Sequence, residues 1–404
     1  MSSIWPIKRL GDLTDVITKG TTPTSVGHVF IPEGINFIKI ESITEYGQFI
    51  ENKLAHITQE CHEALRRSQL KSGDILFSIA GALGRTAQVT DDILPANTNQ
   101  ALAIIRLKPS TDVLPAFVLM ALSTGFALEQ IEKFKGGVAQ QNLSLAQVQE
   151  FQIPLPPLPE QQRIVGILDK TFKGIATAKA NAEKNLQNAR ALFESHLQAV
   201  FADAWETSEL VTLTDLATDI TDGDHMPPPK ASSGVPFITI GNVAKDTRTI
   251  DFSDTFMVSR EYFDRLKHNK KPMKGDVLYT VTGSFGIPVL ISEHREFCFQ
   301  RHIGLVRPKS DVCSEWLYYL LMSPQVFKQA TDGATGTAQK TVSLKLLRGF
   351  QVPIVPMERQ QSTVTKLNVI TKETQRLESI YQQKLAALDA LKKSLLDQAF
   401  TGQL

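Results

Sequence analysis

The stretch Lys71-Ser72-Gly73-Asp74-Ile75-Leu76-Phe77 recurs as Met273-Lys274-Gly275-Asp276-Val277-Leu278-Tyr279, 202 positions further along the chain. In both copies a glycine and an aspartate precede a run of apolar residues. This order is typical of a tight turn that leads into a buried strand. Gly73 and Gly275 are therefore predicted to close equivalent turns.

The duplication extends along nearly the whole chain. Further matches keep the same order at spacings of 199 to 202 residues, and they include Arg106 with Arg307, Ser144 with Ser343, Pro154 with Pro353, Gln161-Gln162 with Gln360-Gln361, and Phe201 with Phe400. Small loop insertions account for the drift in spacing. Collinear self-similarity at one long period indicates a tandem duplication.

Each copy begins with about 150 residues in which short apolar runs alternate with turn residues. Strands are predicted at 37–40, 237–240, 74–79 and 102–107. One helical stretch is predicted at 116–134, with its counterpart at 315–330. This part of each copy is therefore of the mixed α+β class (α/β in the broad sense), with strands dominant.

The second part of each copy is predicted to be one long helix. The proline-rich segment 155–159 ends any preceding element. Apolar residues then recur at steps of three, four or seven from Ile164 to Val200, and again from Leu367 to Leu395. Such spacing suits a two-helix coiled coil, and about 40 residues at about 1.5 Å per residue make a rod of about 60 Å.

A long helix with one apolar stripe must bury that stripe, which leaves two alternatives. Each helix packs on its own globular domain, or the two helices pack antiparallel on each other. The second is favoured because the stripes are similar and no other predicted helix approaches that length. The predicted organisation is a globular domain at 1–158, a helix at 159–203, a second domain at 204–357 and a second helix at 358–404, related by pseudo-two-fold symmetry.

Composition sets broad limits on function. The 404 residues carry 43 Lys and Arg against 42 Asp and Glu, so the formal net charge is +1. This near-balance argues against binding polyanions through bulk charge, although it leaves room for a local basic surface. The three cysteines have no paired spacing, and neither a signal peptide nor an apolar run long enough for a membrane is apparent. A cytoplasmic protein without membrane attachment is expected.

No convincing catalytic pattern is present. The sequence lacks a phosphate-binding GxxxxGK[ST] loop, a dinucleotide GxGxxG fingerprint, a GxSxG elbow and an HExxH helix. His56, Cys61 and His62 are neighbours but lack a second pair of metal ligands, and no metal site is predicted. Two similar domains held apart by a rod suit the recognition of two elements on one long ligand, and DNA is such a ligand.

Several motifs resemble one family. Gln140-Gln141-Asn142-Leu143-Ser144, followed by 153–165, looks like the end of a recognition domain and the start of a long helix in the specificity subunits of Type I restriction–modification systems. Residues 391–404 resemble the C-terminal helix end of that family, and 222–229 and 19–23 resemble two openings of its recognition domains. Arg359 departs from the family pattern, in which a glutamate such as Glu160 precedes the two glutamines. The resemblance covers nearly the whole chain.

The resemblance implies a non-catalytic subunit that binds double-stranded DNA. Each globular domain is expected to be a target-recognition domain that reads one half of a bipartite, asymmetric sequence. The helix pair is expected to set the spacer and to dock two modification subunits, with restriction subunits as further partners. No cofactor is expected on this chain, because S-adenosylmethionine, ATP and magnesium are expected on the partner subunits.

Candidate DNA contacts are polar or basic side chains in turn-rich segments, since base edges and phosphates are contacted by such groups. They are Gln140, Gln141, Asn142, Gln339, Lys340, Thr341, Arg85, His225, Lys230, Lys267, Lys270, Lys271, Arg301 and His302. For the first six the alternative is that they cap a following helix turn or satisfy backbone groups. For the three lysines, within a segment with five Lys or Arg in ten residues, it is a solvated loop.

Two other functions remain open at this point. One is a scaffold, assembly or inhibitor protein that joins partners through the same helices without touching DNA. The other is a self-contained nuclease or methylase, which the absence of catalytic motifs disfavours.

Overall fold

The computed structural model describes residues 5–45, 47–109, 112–135, 142–225, 228–337 and 339–404. The chain divides into two compact units. The first unit consists of Met1–Glu183 with Gln382–Leu404, and the second of Lys184–Tyr381. Each unit therefore contains one copy of the duplicated domain together with part of each long helix.

The first unit contains short strands, short helices and the beginning of a long helix. Its strands are β1 (Ile7–Arg9), β2 (Thr14–Lys19), β3 (Ile35–Ile38), β4 (Ala55–Ile57), β5 (Ile75–Ser78), β6 (Thr86–Gln88), β7 (Ala96–Thr98), β8 (Leu102–Leu107) and β9 (Gln152–Pro154). Its helices are α1 (Leu10–Leu13), α2 (Gln59–Ala64), α3 (Pro115–Ala121), α4 (Gly125–Lys135), α5 (Leu145–Gln149) and the first part of α6 (Leu158–Thr207).

The second unit repeats this order. Its strands are β10 (Leu210–Thr212), β11 (Ala217–Asp222), β12 (Val235–Ile238), β13 (Val243–Ala244), β14 (Thr249–Ile250), β15 (Phe256–Val258), β16 (Val277–Thr280), β17 (Pro288–Leu290), β18 (Cys298–Phe299), β19 (Ile303–Pro308) and β20 (Gln351–Pro353). Its helices are α7 (Leu213–Leu216), α8 (Arg260–Arg265), α9 (Ser314–Met322), α10 (Pro324–Gly333), α11 (Leu344–Arg348) and α12 (Met357–Thr401), the last of which ends in the first unit.

Sheet topology confirms the tandem repeat. The first unit has a four-stranded sheet in the order β2-β8-β5-β6, a three-stranded sheet β4-β3-β7 and the pair β1-β9. The second unit has β11-β19-β16-β17, β15-β12-β18 and β10-β20 in the same roles. In both four-stranded sheets the central pair is antiparallel and in equivalent register, with Ile75 opposite Ile105 and Val277 opposite Val306. The mixed α+β class is thus confirmed.

The strands at 37–40 and 237–240 were predicted about two residues too late. Strands β3 and β12 begin at Ile35 and Val235 and end at Ile38 and Ile238. Ile40 and Ile240 instead begin short 3₁₀ turns. Apolar character alone does not separate these turns from strands, because the isoleucine at the turn is also apolar.

The turn glycines have the predicted role, and the aspartates after them make ion pairs that were not predicted. Gly73 and Gly275 have φ of +84° and +96°, a conformation that favours glycine. Asp74 is 1% exposed and accepts two hydrogen bonds from Arg106, at 2.7 and 2.6 Å. In the second unit Arg307 donates to the two carboxylate oxygens of Asp276 at 2.9 and 2.8 Å. A buried bidentate ion pair therefore anchors the turn to the sheet in each unit.

The single helical stretch predicted after these strands is wrong, because each unit has two helices there. In the second unit α9 ends at Met322 and α10 begins at Pro324. Proline favours the first position of a helix, and the Ser323 hydroxyl accepts a hydrogen bond from the Val326 N–H at 3.4 Å. In the first unit the break precedes Gly125, whose N–H donates to the Asp397 carboxylate at 3.1 Å.

The long helices combine both packing alternatives. In the first unit Ile164 and Leu168 of α6 join the core of the globular domain, together with Ala399 and Phe400 of α12. Arg163 donates to the Leu404 carbonyl at 2.8 Å, and Lys179 pairs with Asp389 at 2.7 Å. Residues further along α6 thus meet residues earlier in α12, so the helices are antiparallel in this unit.

The second unit shows the same antiparallel order. Arg190 of α6 pairs with Glu378 of α12 at 2.7 Å, and Asp203 pairs with Arg359 nearer the start of α12.

The predicted sevenfold apolar spacing also holds, since the residues buried along α6 include Leu168, Ile175, Ala182 and Ala189. Leu391, by contrast, lies off the apolar stripe of α12 and is 46% exposed. Among the helices of the described residues, none is both long and apolar enough to cross a membrane.

Candidate nucleic-acid interface

A buried glutamine ties each long helix to its globular domain. The Gln161 side chain accepts a hydrogen bond from the Leu114 N–H at 3.0 Å and donates to the Asp112 and Pro156 carbonyls, both at 2.9 Å. Gln360 makes the same three kinds of contact in the second unit, including one at 2.7 Å from the Cys313 N–H. The repeated Gln-Gln pair in the sequence signals this role, which was not predicted.

A close backbone contact holds the loop after β11 in the second unit. A Cβ atom at Gly223 would lie 1.8 Å from the Phe299 carbonyl oxygen, so the position requires glycine. The Asp224 N–H donates to that carbonyl at 3.2 Å, and the Asp224 carbonyl accepts from the Arg301 N–H at 3.1 Å. Gly20 approaches Thr98 equally closely in the first unit. The two openings that differ in sequence therefore share one geometry.

Three of the candidate residues come together around this loop. The His225 Nε2 lies 3.0 Å from an Asp222 carboxylate oxygen, and the His225 side chain is exposed. The Lys270 ammonium donates to the Gly223 carbonyl at 3.1 Å and lies 3.5 Å from the Asp224 carboxylate. Arg301, whose backbone N–H donates to the Asp224 carbonyl, is exposed. The cluster presents basic groups beside two carboxylates.

The other lysines of the basic segment do not join this cluster. Lys267 is exposed. The Lys271 ammonium donates to the Asp264 carbonyl at 3.0 Å and lies 4.9 Å from the centre of the Phe263 ring. The Lys230 ammonium lies 5.3 Å from the centre of the Phe256 ring. Lys267 and Lys230 are exposed and able to meet phosphates, whereas Lys271 is half-buried against its own domain.

A cleft of about 420 Å³ opens beside β16 and β19 in the second unit, and His302 and Gln339 line it. Lys245, which is not among the predicted contacts, lines the same cleft. His302 is half-buried, and burial lowers the pKa of its imidazole below the usual range, with Arg301 lowering it further. His302 is therefore neutral at neutral pH and can donate or accept a hydrogen bond.

The segment that holds Lys340 and Thr341 supports one wall of the cleft. The Lys340 carbonyl accepts from the Gly283 N–H at 3.0 Å, and the Thr341 hydroxyl lies 3.5 Å from the Thr282 hydroxyl. The Lys340 side chain is exposed. The backbone of this segment is thus structural, while the Lys340 side chain is directed to solvent.

The first unit places its candidates differently. Gln140 and Gln141 lie outside the described residues, and Asn142 is exposed just before Ser144, whose hydroxyl caps α5. The Arg85 guanidinium donates to the Ile40 and Ile43 carbonyls at 3.2 and 2.9 Å. Arg85 therefore links the loop before β6 to the 3₁₀ turn after β3.

The cysteine and histidines near the start of the chain form no metal centre in the part of the chain that the structure describes, where no group of three or more His, Cys, Asp or Glu side chains converges. Cys61 is buried, and burial raises the pKa of its thiol. The His62 ring is hydrogen-bonded to the Asn97 side chain. These residues belong to the packing of the first domain.

Comparisons with known proteins agree with this architecture. The model of the Type I restriction modification DNA specificity domain matches residues 3–187 and 204–386. The EcoBI specificity subunit of Escherichia coli is 31% identical over 177 residues, which span 43% of this chain and 35% of that protein. The putative MjaX specificity subunit of Methanocaldococcus jannaschii is 24% identical over 430 aligned positions, which span 99% of this chain and 93% of that protein.

Two solved structures share the fold. One chain, from work on complex assembly and conformational transition of the type I R–M system, matches with a TM-score of 0.77 at 21% identity, over 99% of this chain and 98% of that one. The HsdS subunit from Thermoanaerobacter tengcongensis matches with a TM-score of 0.57 at 21% identity, over 99% of this chain and 97% of its own. Because the family model matches twice and covers most of the sequence, the chain belongs to the Type I restriction–modification DNA specificity family, as a specificity subunit with two recognition domains.

Proposed function

We propose that each recognition domain of this subunit reads one half of a bipartite, asymmetric DNA target. The observation that carries the proposal is that one scaffold occurs twice with different polar side chains. The buried Asp–Arg pair and the close glycine are repeated. The residues exposed around them differ, such as Gln100 in one unit and Arg301 in the other. Two domains of like fold and unlike surface suit two unlike half-sites.

The antiparallel helices are proposed to set the spacer between the half-sites and to dock two modification subunits. Support comes from the buried sevenfold spacing along α6 and from ion pairs that fix helix register in each unit. Restriction subunits are proposed as further partners of the assembled complex.

The chemistry is proposed to reside in the partners. Specificity subunits of this class are non-catalytic, and adenine-N6 methylation, with S-adenosylmethionine, is assigned to the modification subunits. ATP and magnesium are assigned to the restriction subunits. The chain is proposed to act in the cytoplasm, where the DNA is. With a net charge of +1, it supplies discrimination, while the partners supply much of the attraction to phosphates.

Binding by the co-assembled complex tests the proposal. The subunit, assembled with its modification partner, is expected to bind one bipartite duplex with nanomolar affinity, and the salt dependence of binding is expected to be steeper for the complex than for the chain alone. Equal affinity for all duplexes would refute sequence recognition and would leave a scaffold role.

The spacer role has its own test. Inserting seven residues after Ala182 adds about two helical turns, or about 10 Å, to α6. With a matching insertion in α12, the complex is expected to prefer a spacer longer by about three base pairs, since about ten base pairs span about 34 Å. An unchanged preferred spacer would show that the helices do not set the separation.

A further inference from the structure

The cleft of the second unit gathers side chains from four separate stretches of sequence. Lys245 follows β13, Ser284 lies in the β16–β17 loop, His302 precedes β19 and Gln339 precedes α11. Among the described residues, the side chains of Lys245, His302 and Gln339 make no hydrogen bond or ion pair with the protein. Their polar groups are thus available to a ligand in the cleft.

The framework of the cleft is common to both units. In the second unit the Val281 N–H donates to the His302 carbonyl at 2.9 Å, and in the first unit the Ile79 N–H donates to Ala101 at 2.9 Å. His302 and Ala101 are therefore equivalent positions. Ile287 and Arg85 are equivalent for the same reason, because the backbone carbonyl of each accepts a hydrogen bond from the N–H of the last residue of the central strand.

The side chains on that framework differ between the units. Lys245 in the second unit corresponds to Glu45 in the first, which reverses the charge. Arg85 spans the turn by donating to the Ile40 and Ile43 carbonyls, whereas its counterpart Ile287 makes no such bridge and lines the open cleft. In a duplicated DNA-binding domain, a shared backbone framework lined by different side chains is expected at the part that distinguishes the two targets.

We propose that this cleft is the base-reading site of the second recognition domain, and that Lys245, His302 and Gln339 determine which base pairs it accepts. This inference rests on the proposed function. The Lys245 ammonium and the Gln339 amide are donors that match the acceptor edge of a purine in the major groove, above all guanine O6 and N7. At the first domain Glu45 offers an acceptor instead, which suits the cytosine amino group.

The test compares the methylated motif of assembled complexes that contain the wild-type subunit, Lys245→Ala, His302→Ala or Gln339→Ala. Discrimination at one or two base pairs of a single half-site is expected to fall by roughly 10- to 100-fold, with the other half-site unchanged. His302→Ala reproduces the residue that the first unit carries at this place, and Lys245 and Gln339 are exposed, so the variants should fold.

Lys309→Ala serves as the matched control, because Lys309 is an exposed lysine of the same domain that neither lines the cleft nor belongs to the candidate DNA contacts. It is expected to leave the motif unchanged. A bipartite motif that stays the same in all three cleft variants, or that changes in both halves, would overturn the inference while leaving the proposed function intact. A wild-type complex without any preferred sequence would refute the proposed function, and this inference with it.

Discussion

Replacing Gln161 by alanine is expected to destabilise the first unit by about 3 kcal/mol. The Gln161 side chain makes three hydrogen bonds of 2.9 to 3.0 Å to the backbone, and it is 0% exposed. A typical buried hydrogen bond contributes about 1 kcal/mol net, and a backbone group left unsatisfied costs about 1–3 kcal/mol. Water can satisfy part of this loss, so the expected range is about 2–4 kcal/mol.

Thermal unfolding followed by circular dichroism measures this effect. For a unit of about 200 residues, each kcal/mol lowers the midpoint by about 2–4 °C, so Gln161→Ala should lower it by roughly 4–16 °C. Gln162→Ala is the matched control, because Gln162 is the same residue type one position later and is exposed. Its midpoint should change by about 1 °C or less.

The reasoning would be wrong if the two variants unfolded at the same temperature. That result would mean that the three backbone groups find other partners without Gln161, and that the start of α6 is held by apolar packing alone. Gln360→Ala should reproduce the loss in the second unit, since Gln360 makes equivalent contacts.

Three further predictions concern the duplicated framework. Asp276→Ala should lower the free energy of unfolding, measured by urea denaturation, by about 3–5 kcal/mol, because the buried Arg307 guanidinium loses both hydrogen bonds to Asp276 and is left with the Asp219 carboxylate at 3.9 Å. Replacing both Asp276 and Arg307 by apolar residues should cost less, and equal losses would contradict this reasoning. Gly223→Ala should destabilise the second unit by about 1–3 kcal/mol, because the added Cβ would lie 1.8 Å from a carbonyl oxygen. Gly166→Ala is the control, since it lies in open space on α6 and should stabilise the chain by about 0.5–1 kcal/mol. A Gly223→Ala variant as stable as the wild type would refute the close contact. The free energy of unfolding of the wild type, minus that of His302→Ala, should be constant above about pH 6.5 and fall at lower pH. The pKa of His302 is lowered in the folded chain, so the unfolded chain takes up the proton first as the pH falls. A difference that rises on acidification would contradict the lowered pKa.

The parts of the fold that were predictable from sequence are those set by local spacing. Gly73 and Gly275 stand before apolar runs, and a turn into a buried strand follows from that order in both units. The sevenfold apolar spacing along α6 predicts a long helix with one buried stripe, and burial of Ile175, Ala182 and Ala189 agrees. Repetition strengthened each of these inferences, because two diverged copies kept the same pattern.

Apart from one helix boundary, what escaped prediction depends on contacts between distant segments. Helix α10 is separate from α9 because Ser323 caps it, and a serine before a proline within an otherwise helical pattern signals this break locally. The cleft has no comparable local signal, since Lys245 and His302 are 57 positions apart in sequence and line one cleft only in the folded domain. The role of Arg85 likewise depended on where the Ile40 carbonyl lies.

Methylome sequencing of source cells with this gene present and deleted tests the central claim most directly. The expected result is one bipartite, asymmetric motif that is methylated in both halves when the gene is present and unmethylated when the gene is deleted. A motif that persists after the deletion, or a continuous motif with no internal spacer, would contradict the assignment of one half-site to each recognition domain.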